Sequence, residues 1–271
     1  MRLSVTVPAA DAERAVAEAC AALGTGCRQD VSPAGEAVLD FWVAARSADP
    51  DGLRALLGGA GIAASVEALP QDDAWRVAPA AFHQPVEIAG RLLVRPPWAP
   101  ARPPLLDVAI DPGMAFGTGQ HATTRACLTL LADLAGERPG ASLLDAGCGS
   151  GVLAIAARRL GFDPVWAVDA DPLCVEATLA NARRNGVGLC VGRRAIGADR
   201  LPAAAVVAAN LTGGLLRELA AALPEPGPGA LVASGIRREE AAGVEAAVAA
   251  RGLGIARRLD RDGWTTLLLV R

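Results

Sequence analysis

The spacing of hydrophobic and polar positions predicts strands alternating with helices along the first 70 residues of the chain. Segments such as RLSVTV alternate at a period of two, as strands with one buried face do. The predicted strands are 2–7, 37–45 and 62–69, and the predicted helices are 9–23 and 51–59. These elements predict a small α+β sandwich of the ferredoxin-like type over residues 1–70.

Residues 71–102 have a different texture, with clustered prolines and little periodicity. A proline-dense stretch of this kind is typical of an extended, semi-rigid connector. Within it, VEIAGRLLVRP (86–96) is compatible with a hairpin that turns at Ala89-Gly90. We therefore divide the chain into a small domain (1–70), a connector (71–102) and a larger domain (103–271).

Strands and helices alternate again through the larger domain. The predicted strands are 142–147, 164–170, 188–192, 204–210, 230–235, 253–259 and 264–270, and the predicted helices are 152–160, 172–185, 213–223 and 237–250. The helix at 172–185 has the clearest ends, with Asp171 at its N-cap, Pro172 at its first position and Gly186 just past its end. Such alternation predicts an α/β fold, a parallel sheet covered by helices on both faces, with the last two strands as an antiparallel pair at one edge.

Composition narrows the functional classes. With 52% hydrophobic and 20% charged residues, the chain can bury a core. Its net charge of −3 argues against stable nucleic-acid binding. No apolar run reaches the ~20 residues of a membrane-spanning helix, and early acidic residues argue against a secretory signal. The six cysteines form no C-x-x-C pair, which argues against a metal site or disulfide framework and indicates reduced thiols in a cytoplasmic protein.

A glycine-rich motif, Asp145-Ala146-Gly147-Cys148-Gly149-Ser150-Gly151, stands where a buried strand meets a helix. Glycines at alternate positions allow a tight turn and a close approach of backbone to a ligand, and Ser150 is placed to cap the following helix. Asp169, twenty-two residues after Gly147, ends the next strand, where a carboxylate can accept both hydroxyls of a ribose. In the nicotinamide fingerprint G-x-G-x-x-G the third glycine would fall at Val152. A nicotinamide site and a ligand-free turn remain alternatives.

Two further segments carry candidate functional residues. The stretch DPGMAFGTGQHATT (111–124) runs as a glycine-rich loop into the start of an apolar helix face. In an open α/β sheet, such a loop lies over the carboxyl ends of the central strands, where ligands bind. Asn210 ends the fourth predicted strand of the larger domain and is expected at the same edge of the sheet.

Together these segments resemble the ribosomal protein L11 methyltransferase family, which belongs to the class I S-adenosylmethionine-dependent methyltransferases. The D-x-G-x-G-x-G form resembles the first motif of that class. The acidic strand with its helix (167–187) and the acceptor-side strand AANLTGG (208–214) also resemble the family's. The spaced residues of the connector that resemble the family are Trp75, Phe82, Pro85, Arg91 and Trp98. The resemblance implies a seven-stranded Rossmann-like methyltransferase domain, S-adenosylmethionine as cofactor, and methylation of amino groups of a large-subunit ribosomal protein.

The resemblance also places the family's cofactor contacts on Thr124, Gly147, Asp169 and Asn210. With their neighbours in the motifs, the expected cofactor-binding residues are Phe116, Gly117, Thr118, Gly119, Thr124, Asp145, Gly147, Gly149, Gly151, Asp169 and Asn210. After the third strand, Gly192-Arg193-Arg194 offers no carboxylate for the adenine amine, so backbone groups are the alternative partners there.

Methyl transfer to an amine needs a neutral nucleophile held in place rather than a strong base. We expect Asn210 to be catalytic, accepting a hydrogen bond from the incoming amine, and His121 to be the candidate proton acceptor of the loop. The residues after Asn210 are Leu211-Thr212-Gly213, which offer no ring to hold a planar acceptor. An aliphatic amine, on a lysine side chain or a chain N-terminus, is therefore favoured.

The small domain and the connector are expected to position a protein substrate, which the resemblance identifies as ribosomal protein L11. We expect a cytoplasmic monomer that binds no metal and no membrane. The alternatives are a methyltransferase of the same fold that acts on lysines of another protein, on RNA or on a small molecule, and a non-catalytic nucleotide-binding module or a dehydrogenase.

Overall fold

The computed structural model describes residues 2–23, 27–31, 35–43, 49–69, 84–112 and 119–271. The chain divides into two compact units, Met1–Ala78 and Pro79–Arg271. None of the helices among the described residues combines the length and apolar character that crossing a membrane requires.

The first unit has the β-α-β-β-α-β order of a ferredoxin-like sandwich. Its elements are β1 (Arg2–Pro8), α1 (Ala12–Leu23), β2 (Cys27–Val31), β3 (Glu36–Trp42), α2 (Pro50–Gly59) and β4 (Ser65–Leu69). The four strands form an antiparallel sheet in the order β2-β3-β1-β4. The sequence pattern missed β2, because CRQDV carries polar residues at most positions and the strand lies at the sheet edge.

A three-stranded sheet opens the described part of the second unit. It consists of β5 (Val86–Ile88), β6 (Leu92–Arg95) and β7 (Leu106–Ala109), with β5 and β6 forming the predicted hairpin and β7 parallel to β6. Ala89 and Gly90 at the hairpin turn have φ of 51° and 64°, the positive values that the two central residues of a type I′ turn require. Leu92 and Val94 are buried in the same hydrophobic core as helix α3 (Ala122–Glu137). The expectation of an extended connector is therefore wrong for the described residues from 84 onward, which supply strands to the second unit.

The second sheet of this unit has seven strands, as predicted. Its elements are β8 (Leu143–Ala146), α4 (Val152–Arg159), β9 (Val165–Asp169), α5 (Pro172–Arg184), β10 (Cys190–Arg193), β11 (Val206–Asn210), α6 (Gly213–Ala222), β12 (Ala230–Arg237), α7 (Ala241–Ala249), β13 (Gly254–Arg261) and β14 (Trp264–Val270). The order is β10-β9-β8-β11-β12-β14-β13, with β14 antiparallel to both of its neighbours and β13 as an exposed edge. The chain reverses its direction of winding between β8 and β11, which makes this the switch point of the sheet.

Hydrophobic cores lie on both faces of the seven-stranded sheet, which confirms the predicted covering. One core contains Leu128 of α3 and Ile155 of α4, and the other contains Leu216 of α6 and Val244 of α7. The central strands β8 and β11 are buried on both faces and are therefore apolar along most of their length.

The sequence predicts the N-cap of α5 correctly but not the N-cap of α4. The Asp171 carboxylate caps α5 by accepting the Leu173 N–H at 2.8 Å, with Pro172 at the first position. Helix α4 is different, because its N-cap is Gly151, in the left-handed region and without a side-chain cap. The predicted cap by Ser150 is therefore wrong.

A fragment of residues 79–271 should unfold cooperatively, whereas a fragment of residues 103–271 should be much less stable. The shorter fragment lacks β5 and β6 and removes Ile88, Leu92, Leu93 and Val94 from the buried core. Each buried aliphatic side chain contributes roughly 1.5–3 kcal/mol. Thermal unfolding followed by circular dichroism measures the difference. Equal melting temperatures for the two fragments would show that β5 and β6 do not support the second unit.

Candidate active site

A cavity of about 260 Å³ lies at the carboxyl ends of β8, β9, β10 and β11. This is the switch point of the sheet, where open α/β folds bind ligands. The sequence-predicted residues that line it are Thr124, Gly147, Gly149, Asp169 and Asn210. The remaining wall consists of Cys148, Val152, Leu153, Ala170, Cys174, Arg194, Ile196, Leu211 and Leu215.

The glycine loop between β8 and α4 can be built only from glycine at two of its turns. Gly147 has φ of 77°, and a Cβ there would collide with the side chain of Leu211. Gly151 has φ of 82°, and a Cβ there would lie 2.9 Å from the methyl group of Thr178. Both positions combine a left-handed backbone with no room for a side chain, which explains the spacing of the motif.

The Asp169 carboxylate is fixed by backbone groups on both sides. Its Oδ2 accepts the Gly149 N–H at 3.0 Å, and its Oδ1 accepts the Asp171 N–H at 3.0 Å. An ionised carboxylate has about four acceptor positions. The two backbone donors and the neighbouring Cys174 thiol do not fill all of these positions, so the carboxylate can still accept from a ligand, such as a hydroxyl of a ribose.

The wall around Asp169 is mostly apolar. Val152, Leu153 and Ile196 contribute aliphatic surface, and burial raises the pKa of the Cys174 thiol to about 11, so that this thiol is neutral. One fixed carboxylate within apolar walls suits a nucleoside, whose ribose is polar and whose base has an apolar face.

Asn210 is half-buried at the end of β11, with its amide group held in one orientation. Its Nδ2 donates to Thr123 Oγ1 and to Thr124 Oγ1, each at 3.2 Å. The backbone of β12 approaches on the other side, since a Cβ on Gly235 would lie 3.0 Å from Asn210 Oδ1. With both amide hydrogens engaged, Oδ1 is the atom of this side chain that remains to accept a hydrogen bond from a ligand.

His121 is the N-cap of α3 and does not line the cavity. Its Nδ1 accepts the Thr123 N–H at 3.4 Å and lies 2.7 Å from Thr123 Oγ1. The ring meets Trp264 edge-on at a centroid distance of 5.5 Å, and the guanidinium of Arg237 lies 5.9 Å from the centroid of the same Trp264 ring. His121 therefore connects to Asn210 through Thr123.

Six of the predicted cofactor residues remain. Asp145, Gly119 and Gly151 are described but are not among the residues that line the cavity, and Phe116, Gly117 and Thr118 lie outside the described residues. Asp145 is fully buried, its Oδ2 accepts the Ala154 N–H at 3.0 Å, and no described residue bonds its Oδ1. Burial raises the pKa of this carboxyl to about 7, with the charge of Asp169 acting in the same direction and the bond from Ala154 opposing it.

Two residues that support the site were missed by sequence reasoning. Thr178 Oγ1 donates to Gly149 O, and Asn181 Nδ2 donates to Ser150 O, both at 2.9 Å. Both side chains are buried on the inner face of α5. Their positions in the helix were the one signal that the sequence offered. Thr178 and Asn181 are three residues apart and share a face with the apolar Ala182, where a buried helix face normally carries aliphatic side chains.

The raised pKa of Asp145 predicts a pH-dependent stability. The folded carboxyl keeps its proton up to about pH 7, whereas an unfolded aspartate loses it near pH ~3.9. The contribution of this group is thus fully present below the unfolded pKa and is lost as pH rises through the folded pKa. Between about pH 5 and about pH 8 the free energy of unfolding should fall less in Asp145→Asn than in wild type, as measured by urea unfolding.

The control for this measurement is Glu176→Gln, which removes an exposed carboxyl from α5. It should keep the wild-type pH dependence. A wild type and an Asp145→Asn variant with parallel stability profiles would show that Asp145 does not titrate in this range.

Comparison with known proteins agrees with the fold. The family model described as ribosomal protein L11 methyltransferase matches residues 54–271. A ribosomal protein L11 methyltransferase of Pelotomaculum thermopropionicum is 41% identical over 79% of this chain and 71% of its own length. One from Dechloromonas aromatica is 42% identical over 71% of this chain and 67% of its own length.

A solved structure is also similar. The ribosomal protein L11 methylase of Lactobacillus delbrueckii subsp. bulgaricus superposes with a TM-score of 0.62 at 28% identity, covering 70% of this chain and 99% of that one. The matched region contains the glycine loop, Asp169 and Asn210, so the alternatives left open by the glycine spacing are decided in favour of methyl transfer. The chain belongs to the ribosomal protein L11 methyltransferase family and is an S-adenosylmethionine-dependent methyltransferase.

Proposed function

We propose that this protein methylates amino groups of ribosomal protein L11, on lysine side chains, on the N-terminal amine or on both. The observation that carries the proposal is the orientation of Asn210. Its amide hydrogens are held by Thr123 and Thr124, so that Oδ1 is left to accept a hydrogen bond from the amine that receives the methyl group. The substrate is supported by relatives named ribosomal protein L11 methyltransferase. Because the proposed substrate is a ribosomal protein, we also propose that the enzyme acts in the cytoplasm.

We propose that the cofactor is held by residues that line the cavity. Asp169 holds the ribose hydroxyls, because its carboxylate is fixed by two backbone donors and keeps acceptor positions toward the cavity. Gly147 and Gly149 let the backbone approach the cofactor without side chains in between, and Thr124 and Asn210, which line the same cavity, contact it as well. The glycine-rich segment with Phe116, Gly117, Thr118 and Gly119 is proposed to complete the site.

Three proposed cofactor residues act less directly. Asp145 lies beneath the glycine loop, where its carboxylate anchors the first turn of α4 through Ala154. Gly151 provides the left-handed N-cap of that helix. Gly119 is buried against Val94, and a Cβ there would collide with that side chain.

S-adenosylmethionine, when bound, supplies an electrophilic methyl group on a sulfonium. Asn210 Oδ1 would accept a hydrogen bond from the acceptor amine and thereby direct its lone pair. Orientation of this kind is a large part of what an enzyme contributes to a displacement between two held reactants. Because Leu211, Thr212 and Gly213 follow Asn210 without an aromatic ring, the site favours a tetrahedral amine over a planar one.

His121 is proposed to serve the reaction mainly through Thr123. Its Nδ1 is engaged with the backbone and hydroxyl of Thr123, and the same hydroxyl receives a hydrogen bond from Asn210. Direct proton acceptance by His121, as proposed from the sequence, would therefore have to use Nε2. The first unit is proposed to position the protein substrate, since it folds as a compact unit of its own.

The test of the function is methylation of purified L11 in the presence of S-adenosylmethionine, followed by mass spectrometry of its peptides. We expect methyl groups on lysine side chains or the N-terminal amine, and none on purified ribosomal RNA. Calorimetric binding of S-adenosylmethionine is measured in parallel. If the protein binds the cofactor but leaves L11 unmodified, the acceptor is of another class, and the proposal is wrong.

Asn210→Ala should lower the single-turnover rate more than it weakens cofactor binding, because the orientation of the amine is lost in the transition state. We expect a loss of roughly tenfold to hundredfold in rate at saturating cofactor, as misplacement of a reacting group causes. Asn210→Asp keeps an acceptor oxygen and should retain more activity. Rapid-quench measurement from about pH 7 to about pH 9 covers the titration of the amine.

The matched control for Asn210→Ala is Thr212→Ala, two residues beyond Asn210 and before the first residue of α6. Thr212 is the N-cap of α6 but makes no side-chain cap hydrogen bond, so its loss should leave the rate unchanged. Equal rates for wild type and Asn210→Ala would mean that Asn210 is only a turn residue.

A further inference from the structure

Two neighbouring carbonyl groups of the glycine loop are held by side chains of a single helix, α5. Thr178 Oγ1 donates to Gly149 O, and Asn181 Nδ2 donates to Ser150 O, each at 2.9 Å. The exposed fractions of the two side chains are 0% and 2%. Residues three apart lie on the same face of a helix, so the two bonds act on consecutive peptides of the loop.

The amide of Asn181 also reaches a second segment. Its Oδ1 accepts the Asp111 N–H at 3.1 Å. Asn185, the C-cap residue just past the end of α5, is similarly buried, but its side chain bonds Ala109 and Asn181 O among the described residues. Its Oδ1 accepts the Ala109 N–H at 2.8 Å, and its Nδ2 donates to Ala109 O at 2.7 Å and to Asn181 O at 2.8 Å. Asn185 is therefore a useful comparison residue, a buried amide at the end of the same helix whose side chain bonds Ala109 and Asn181 rather than the glycine loop.

One of the two loop residues held by α5 is also hydrogen-bonded to the Asp169 carboxylate of the cofactor site. Gly149 is bonded on both of its backbone groups, since its C=O accepts from Thr178 and its N–H donates to Asp169 Oδ2 at 3.0 Å. A loop with glycines in the left-handed region has many alternative conformations open to it. Releasing the carbonyls at positions 149 and 150 would therefore also weaken the bond from Gly149, one of the two backbone bonds that orient the Asp169 carboxylate.

We propose that Thr178 and Asn181 are positioning residues for the cofactor, which act by selecting the loop conformation that presents Asp169 to the cavity. The inference rests on the proposed role of Asp169 in holding S-adenosylmethionine. If only a fraction of molecules has the competent loop, the apparent dissociation constant rises by the inverse of that fraction. The expected signature is weaker cofactor binding that is not explained by lower stability.

The experiment compares four variants by calorimetric titration with S-adenosylmethionine, without protein substrate, and by thermal unfolding. Thr178→Val removes the hydroxyl at constant shape, and Thr178→Ser restores it. Asn181→Asp keeps the acceptor for the Asp111 N–H but loses the donor to Ser150 O. Asn185→Asp makes the same amide-to-carboxylate change at the C-cap of α5, where it removes the donors to Ala109 O and Asn181 O instead of a bond to the glycine loop.

We expect Thr178→Val and Asn181→Asp to raise the dissociation constant about fivefold to tenfold, as the loss of a buried hydrogen bond does. Thr178→Ser and Asn185→Asp should remain within about twofold of wild type, although Asn185→Asp lowers the melting temperature as Asn181→Asp does. If Asn181→Asp does not fold, the two Thr178 variants decide the matter.

The inference is overturned if Thr178→Val binds as wild type does, or if Asn181→Asp and Asn185→Asp weaken binding equally. The second result would show that both residues act only through the stability of α5. A wild type that binds no S-adenosylmethionine would instead overturn the proposed cofactor site, and this inference with it.

Discussion

A parallel sheet that is covered on both faces can present polar side chains to a ligand only where its strands end. The central strands β8 and β11 are apolar along most of their length, and β9 and β11 finish in Asp169 and Asn210. The site depends on this constraint, because the strand ends bring residues distant in sequence to one edge. Asp145 is the exception within a strand, and its raised pKa reflects what burying a carboxyl inside such a sheet costs.

The strand ends alone do not fix the site, which also needs hydrogen bonds from side chains elsewhere in the chain. Glycine in the left-handed region makes the loop after β8 possible but does not hold it in one shape. That shape comes from neighbours, namely Thr178 and Asn181 on one side and Asp169 on the other. Asn210 is supported in the same manner by the first turn of α3, whose start is itself set by His121. The site is therefore an arrangement of hydrogen bonds between helix starts, helix faces and strand ends.

Much of the fold could be predicted from the sequence, because its signals are local. The alternation of short apolar strands with helices, and the Asp171-Pro172 start of α5, depend on residues close together in the chain. The strand β2 was missed because an edge strand does not need a buried face. The expected cap by Ser150 was wrong because the N-cap is the next residue, Gly151, where a left-handed backbone and close contact with Thr178 across the fold leave no room for a side chain.

The sequence also predicts part of the candidate site, namely the residues that stand in local motifs. The loop glycines, Asp169 and Asn210 stood out as motifs, whereas Thr178 and Asn181 act through bonds that span about thirty residues in sequence. His121 and Asn210 were both singled out, yet only the folded chain shows that Thr123 connects them. Long-range partners of this kind leave no periodic trace, so a single sequence does not reveal them.

The outer strand β13 has a consequence for how the protein meets other sheets. An exposed edge strand offers unpaired backbone groups on which a second sheet can grow. This one carries charged side chains that form ion pairs, Arg257 with Asp133 and Arg258 with both Glu245 and Asp260. A second copy pairing edge to edge would have to fit these charged side chains beside their own copies, and charges on an edge strand are one of the means by which proteins avoid such pairing. The strand that completes the sheet is therefore also the strand that limits its growth.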